Sequence, residues 1–267
     1  MLRQRVFGAV LLLPPVLVAA WLGGWWFTGL VALFVALATW ELCRLLAQTG
    51  ETPLTPLAIL LAVALVLEGE LSPAPERPTL VLVVGVLVGL VVMLFRRTPH
   101  PASEWTLTLG AAVYVGLTMR FLARLRGLPD GFGWLMTAVL TTWLADSGAY
   151  FIGRRWGRHK LWPRISPHKT WEGFGGGLAV GILAGTVLTP WLIPGLDWRH
   201  GLLIGLTVSL AAPLGDLSES VYKRQVGAKD SSHLIPGHGG FLDRIDSFLF
   251  VGPCVYLLAL AIARWPF

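Results

Sequence analysis

The chain has 267 residues, of which 55% are hydrophobic and only 13% charged, against about 25% charged in an ordinary soluble domain. That little charge cannot coat a soluble fold of this length, so the composition excludes one and indicates a polytopic membrane protein. The net charge of +6 does not indicate nucleic acid binding, because the basic residues sit in short loops between apolar segments, where they orient the chain in the bilayer.

A spanning helix needs about 20 apolar residues, and nine segments qualify in chain order: 6–23, 25–47, 54–70, 78–95, 105–125, 131–153, 173–194, 200–222 and 245–264. The first follows Arg3 and Arg5, a pattern shared with signal peptides. Its Pro14-Pro15 and Trp21 favour an uncleaved span. The third is short and runs into Glu68 and Glu70. Glycines and prolines are scattered through the apolar runs, as bilayer helices tolerate. Cys43 and Cys254 both lie in apolar segments, so neither a disulfide framework nor a zinc spacing arises. The expected fold is all-α, with nine transmembrane helices and two long loops.

Nine spans place the amino terminus and every second loop on one side. Of 21 Lys and Arg, only Arg77, Arg120, Arg124, Arg126, Arg199 and Arg264 then fall on the other side. The positive-inside rule makes the rich side cytoplasmic. Arg120 to Arg126 form the one local exception.

Both long loops fall on that cytoplasmic side: Gly153–Gly173 (GRRWGRHKLWPRISPHKTWEG) and Lys223–Asp246 (KRQVGAKDSSHLIPGHGGFLDRID). Beside them, Asp146, Asp216 and Glu219 lie inside spans. A carboxylate at bilayer depth costs about 2.5–3.5 kcal/mol and normally faces protein or water with a partner or a function. Asp216, Glu219, Ser220 and Lys223 follow i, i+3, i+4, i+7 spacing and line one helix face. Asp243 and Asp246 are three apart and are expected to share another.

Converging carboxylates need a cation, and hard oxygen donors without cysteine favour Mg²⁺ over zinc. Asp243 also suits a helix cap, and Asp246 a pairing with Arg244 or Lys223. Between the acidic faces lies Pro236-Gly237-His238-Gly239-Gly240. Glycines let backbone N–H groups wrap an anion, and Lys223, Arg224, Lys229 and Arg244 can hold phosphate oxygens. His238 suits phosphate binding or proton movement as well as a plain loop position. Metal-binding acids, a glycine nest and several cations at a membrane surface indicate phosphoryl or nucleotidyl transfer to a lipid.

Ser218-Glu-Ser-Val-Tyr-Lys223-Arg224, Lys229-Asp230, Pro236-Gly-His238-Gly-Gly240 and Asp243-Arg244-Ile-Asp246 together resemble the signature of the phosphatidate cytidylyltransferases, the CDP-diacylglycerol synthases. Asp146-Ser-Gly-Ala-Tyr-Phe and Ile165-Ser-Pro-His-Lys169-Thr-Trp-Glu-Gly173 are similar to a second block of that family, with His168 where a second lysine is common. The resemblance divides the chain into N-terminal spans, 1–130, and a catalytic region, 131–267. It implies that CTP and phosphatidic acid give CDP-diacylglycerol and pyrophosphate, with Mg²⁺ and a second cation left open. It implies Asp216, Asp243 and Asp246 as metal ligands, with Asp243, Asp246 and Lys223 catalytic. It also implies that Ser166, Lys169, Arg224, Lys229, His238 and Arg244 bind substrate. A homodimer in the inner (plasma) membrane, with its active site facing the cytoplasm, completes the expectation.

Two other readings fit parts of the pattern. A CTP-dependent lipid kinase would release CDP instead of pyrophosphate, and the complete Lys-Asp, His-Gly-Gly and Asp-Arg-x-Asp block argues against it. An ion-coupled transporter would use Asp146 and Asp216 as carried-ion sites, but its usual repeat symmetry is not visible.

Overall fold

The computed structural model describes residues 13–71, 80–232, 234 and 239–264. Arg3, Arg5, Arg77, His238, Pro236, Gly237 and the ends of the first and fourth expected spans lie outside the described residues.

The apolar runs form helices: α1 (Leu13–Leu22), α2 (Gly24–Leu46), α3 (Thr55–Leu71), α4 (Leu80–Phe95), α5 (Pro101–Ala112), α6 (Thr118–Arg126), α7 (Gly131–Trp156), α8 (Trp171–Leu192), α9 (Trp198–Gln225), α10 (Leu242–Ile245) and α11 (Phe248–Arg264). A π-helical stretch, Val113–Leu117, joins α5 to α6 as one rod. The first long loop is ordered as a β-hairpin, β1 (Lys160–Trp162) against β2 (Ser166–Thr170), antiparallel, with Lys160 opposite Thr170 and Trp162 opposite Ser166.

Among the described residues, five helices are long and apolar enough to cross a membrane: Gly24–Thr49, Pro101–Arg126, Trp171–Leu192, Trp198–Gln225 and Leu242–Arg264. By length and composition the chain is therefore an integral membrane protein. Four of the nine expected spans fall outside this set. α3 has 17 residues and α4 has 16, below the roughly 20 that a straight span needs. α7 has 26 residues, but Thr137, Thr141, Thr142 and Asp146 make it more polar.

The chain forms two compact units, neither continuous in sequence. One comprises Met1–Arg124 and Tyr222–Ile245, the other Leu125–Val221 and Asp246–Phe267.

In the first unit α2 packs on α3, and Val31, Val35, Ala38 and Leu42 of α2 and Ala58, Leu61, Ala62 and Leu65 of α3 are buried. The π-helical stretch comes close to α3, where a Cβ at Gly116 would stand 2.5 Å from Ala62 Cα. A polar cluster closes each end of α3. Ahead of its first turn, Glu104 accepts from Thr52 Oγ1 (2.7 Å), Arg96 Nη2 (2.7 Å) and Thr98 Oγ1 (3.1 Å). At its last turn, fully buried Arg120 pairs with Glu68 at 3.0 Å, and Arg124 donates to the Gly69 carbonyl at 2.8 Å. The charges that break the positive-inside pattern are thus partly consumed within the protein.

In the second unit α7 and α8 run antiparallel at close range. Ala145, Ala149 and Gly153 of α7 face Gly177 and Gly173 of α8, and Gly185 of α8 faces Gly201 and Gly205 of α9. Small residues at such crossings let backbones approach inside a bilayer.

Candidate active site

Asp243 lies in the first turn of α10 and Lys223 in the last turn of α9. Lys223 Nζ stands 2.8 Å from Asp243 Oδ1, with the two side chains 10% and 8% exposed. The other oxygen, Oδ2, accepts from Ser231 N (3.0 Å), Ser231 Oγ (2.8 Å) and Gly240 N (2.8 Å). One carboxylate therefore gathers the lysine, the start of the loop and its glycine end. A charged acceptor with this many donors forms stronger bonds than a neutral one.

The glycines are there for room. Gly239 has a φ of +78°, and a Cβ on it would press on the Asp243 carboxylate. A Cβ on Gly240 would run into Ser231 Oγ and the Glu41 carboxylate. The sequence suggested an anion nest here, but the Gly240 N–H is already directed at Asp243.

Glu41 is the residue that sequence reasoning missed. It sits on α2, 0% exposed, and its carboxylate accepts four hydrogen bonds. Oε1 takes Ser232 Oγ (2.5 Å) and Phe241 N (3.0 Å), while Oε2 takes Ser231 Oγ (3.1 Å) and Leu242 N (2.7 Å). Ser231 Oγ lies between two carboxylates, and its single proton serves one of them at a time. An acid in the second apolar span was the available signal, by the reasoning already applied to Asp146 and Asp216.

The second unit holds another acid–lysine pair. Lys169 Nζ is 2.6 Å from Asp216 Oδ2, with side chains 26% and 37% exposed. Ser220 Oγ, one turn along α9, donates to Asp216 Oδ1 at 3.3 Å, as the i, i+4 spacing anticipated. Asp146 on α7 interacts electrostatically with both Lys169 and Asp216.

The hairpin explains why Lys169 is held there. Thr170 caps α8 by accepting from Gly173 N at 3.1 Å, a strongly preferred capping residue. Glu172 in the first turn accepts from Arg158 N (3.1 Å), His159 N (3.2 Å) and the His159 ring (2.6 Å). Lys169 is the residue just before this doubly fastened corner.

The remaining expected site residues are placed as follows. Ser166 is half-buried at the start of β2. Arg224, Lys229 and Arg244 are exposed, and Arg224 donates to the Ala228 carbonyl at 3.1 Å. Asp246 is half-buried in a turn with Ser247, whose N–H it accepts at 2.6 Å. Within the Leu242–Arg264 span, Asp243 is in the short helix α10 and Asp246 in the two-residue turn that leads into α11. Asp216 and Asp246 belong to one unit and Asp243 to the other. Among the described residues, no three His, Cys, Asp or Glu side chains are grouped to hold a metal ion.

Comparison with known proteins gives these residues a setting. The chain is 44% identical over 149 residues to the phosphatidate cytidylyltransferase of Bacillus subtilis (strain 168), a match covering 55% of each chain. It is 43% identical over 150 residues to the enzyme of that name from Staphylococcus haemolyticus (strain JCSC1435), covering 56% of this chain and 57% of that one. The chain spans about half the length of the curated relatives it matches. The likeness to the cytidylyltransferase family is longer, running over residues 3–262, and by that extent the chain belongs to it.

Proposed function

We propose that the protein is a CTP:phosphatidate cytidylyltransferase, which makes CDP-diacylglycerol and pyrophosphate from CTP and phosphatidic acid. The observation that carries this reading is Asp243, on which Lys223, Ser231 and Gly240 converge. Two separate parts of the family signature, at Lys223 and Gly240, thereby meet at the carboxylate of a third in a chain of this family.

In the reaction, a lipid phosphate oxygen forms a bond to the α-phosphorus of CTP. The bond from that phosphorus to the bridging β-phosphate oxygen breaks, and pyrophosphate leaves with the electron pair. Such transfers depend on alignment and charge neutralisation more than on a covalent nucleophile. Lys223, Arg224, Lys229, His238 and Arg244 hold phosphate oxygens, with Ser166 and Lys169 at the nucleotide or lipid phosphate.

Asp216, Asp243 and Asp246 would hold Mg²⁺, which would supply screening of both anions and of the developing charge. The donors fit a hard cation, since all are carboxylate oxygens. The Asp216 side chain is 37% exposed and meets Ser220 at one oxygen and Lys169 at the other. Asp243 shares its oxygens with four donors.

Nine spans, with residues 131–267 as the catalytic region, complete the reading. Charge distribution supports an active site on the cytoplasmic face, and the bacterial relatives support the plasma membrane. The homodimer rests on family resemblance. Purified protein given labelled CTP, Mg²⁺ and phosphatidic acid should yield a CDP-lipid and pyrophosphate. Release of CDP with a phosphorylated lipid would overturn the assignment.

A further inference from the structure

Glu41 belongs to the half of the chain that carries no signature motif, yet it grips the motif loop at both ends. Each of its oxygens pairs one serine hydroxyl from the start of the loop with one backbone N–H from its end: Ser232 with Phe241, and Ser231 with Leu242. The Phe34 ring of α2 packs on Phe241 with centroids 5.4 Å apart, so the seat is apolar as well as charged. With the carboxylate fully buried, removing its charge leaves four donors facing a weaker acceptor.

We propose that Glu41 is a positioning residue for nucleotide binding. It fixes Ser231 and Ser232 beside Phe241 and Leu242 and so sets Asp243 and its Lys223 partner in place, without itself touching substrate. Asp243 depends on this clip directly, because two of its contacts come from Ser231 and one from Gly240, each next to or within the residues that Glu41 holds. Freezing a loop in its binding conformation before the ligand arrives lowers the ordering cost of binding. The kinetic part rests on the cytidylyltransferase reading, while the clip itself does not.

The test uses the full-length protein with Glu41→Gln, and Ser232→Ala as the milder variant. Trypsin cleavage after exposed Lys229, two residues before the clip, reports release of Ser231 and Ser232 from Glu41 whether or not the protein turns over. Glu41→Gln should raise that cleavage rate about tenfold and Ser232→Ala about threefold, with the thermal midpoint in detergent little changed. The KM for CTP should rise about fivefold or more in Glu41→Gln, whereas a merely structural loss lowers only the amount of active enzyme and leaves KM alone. If Glu41→Gln does not fold, Ser232→Ala decides through the same two readouts. Wild-type cleavage rates in the variants, or an unchanged KM beside a reduced kcat, would overturn the proposal. If the wild type makes no CDP-lipid, the reaction assignment fails and the cleavage rates still decide the clip.

Discussion

Lys169 and Asp216 meet at 2.6 Å, the lysine from the end of a short hairpin and the acid from the interior of α9. The pair joins the two blocks of family-like sequence inside one unit. It is partly exposed, so solvent screening makes its direct contribution to stability small.

Lys169→Met should therefore leave the thermal midpoint nearly unchanged while lowering kcat/KM by about a hundredfold, the order expected when one preorganised charge is lost. Steady-state kinetics beside a melting curve in detergent check this. A large loss of stability with normal activity would mark the pair as structural.

Asp243→Asn and Asp246→Asn should both abolish turnover at saturating Mg²⁺, but they should differ in stability. Asp243→Asn removes the counter-charge of a lysine that is only 10% exposed, and breaking a buried pair costs about 3–5 kcal/mol. Asp246 is half-buried in a turn, and its amide should fold nearly as well as the acid. Denaturation midpoints of the two variants, measured side by side, separate the cases. Near-normal activity in either would remove that acid from the metal ligands.

Gly240→Ala should inactivate the protein, because the new methyl group meets Ser231 Oγ and the Glu41 carboxylate. Overpacking of this kind costs about 1–3 kcal/mol. Gly175→Ala is the matched control: it lies in α8 with open space around it. Replacing a helical glycine by alanine stabilises by about 1 kcal/mol. Activity retained in Gly240→Ala would mean that the loop does not need this close approach.

Glu68→Gln removes a counter-charge from Arg120, a fully buried arginine 3.0 Å away. The loss should again be about 3–5 kcal/mol, but here kcat and KM per folded molecule should be unchanged. Thermal shift and active-site-normalised kinetics distinguish this outcome from a catalytic one.

The helical course was legible because long apolar runs have few alternatives, and the runs at 25–47 and 200–222 correspond to α2 and α9 within a few residues. The hairpin was not, since a three-residue strand such as Lys160–Trp162 is too short for alternation to register. Asp243, Lys223 and Asp216 were legible as charges out of place in an apolar chain. Their partners within the protein were not: the contact of Lys169 with Asp216 was not foreseen. Glu41 was the harder case, because its partners lie 190 to 201 residues away along the chain. Charge counting treated Arg120 as an orientation signal, whereas its Glu68 contact makes it an internal ion pair.

The unit that contains α2 is completed only by residues 222–245, and this has a bearing on biogenesis. When the second helix enters the bilayer, every donor that will satisfy Glu41 is still unsynthesised. The acid must wait for its partners until residues 231–242 have been made. Assembly of this half then awaits a segment translated long after α2, since the partners of Glu41 lie 190 to 201 residues further along the chain. Severing the gene ahead of that segment should leave early helices that insert but remain open to quality-control proteases, and supplying the missing piece as a separate polypeptide should protect them.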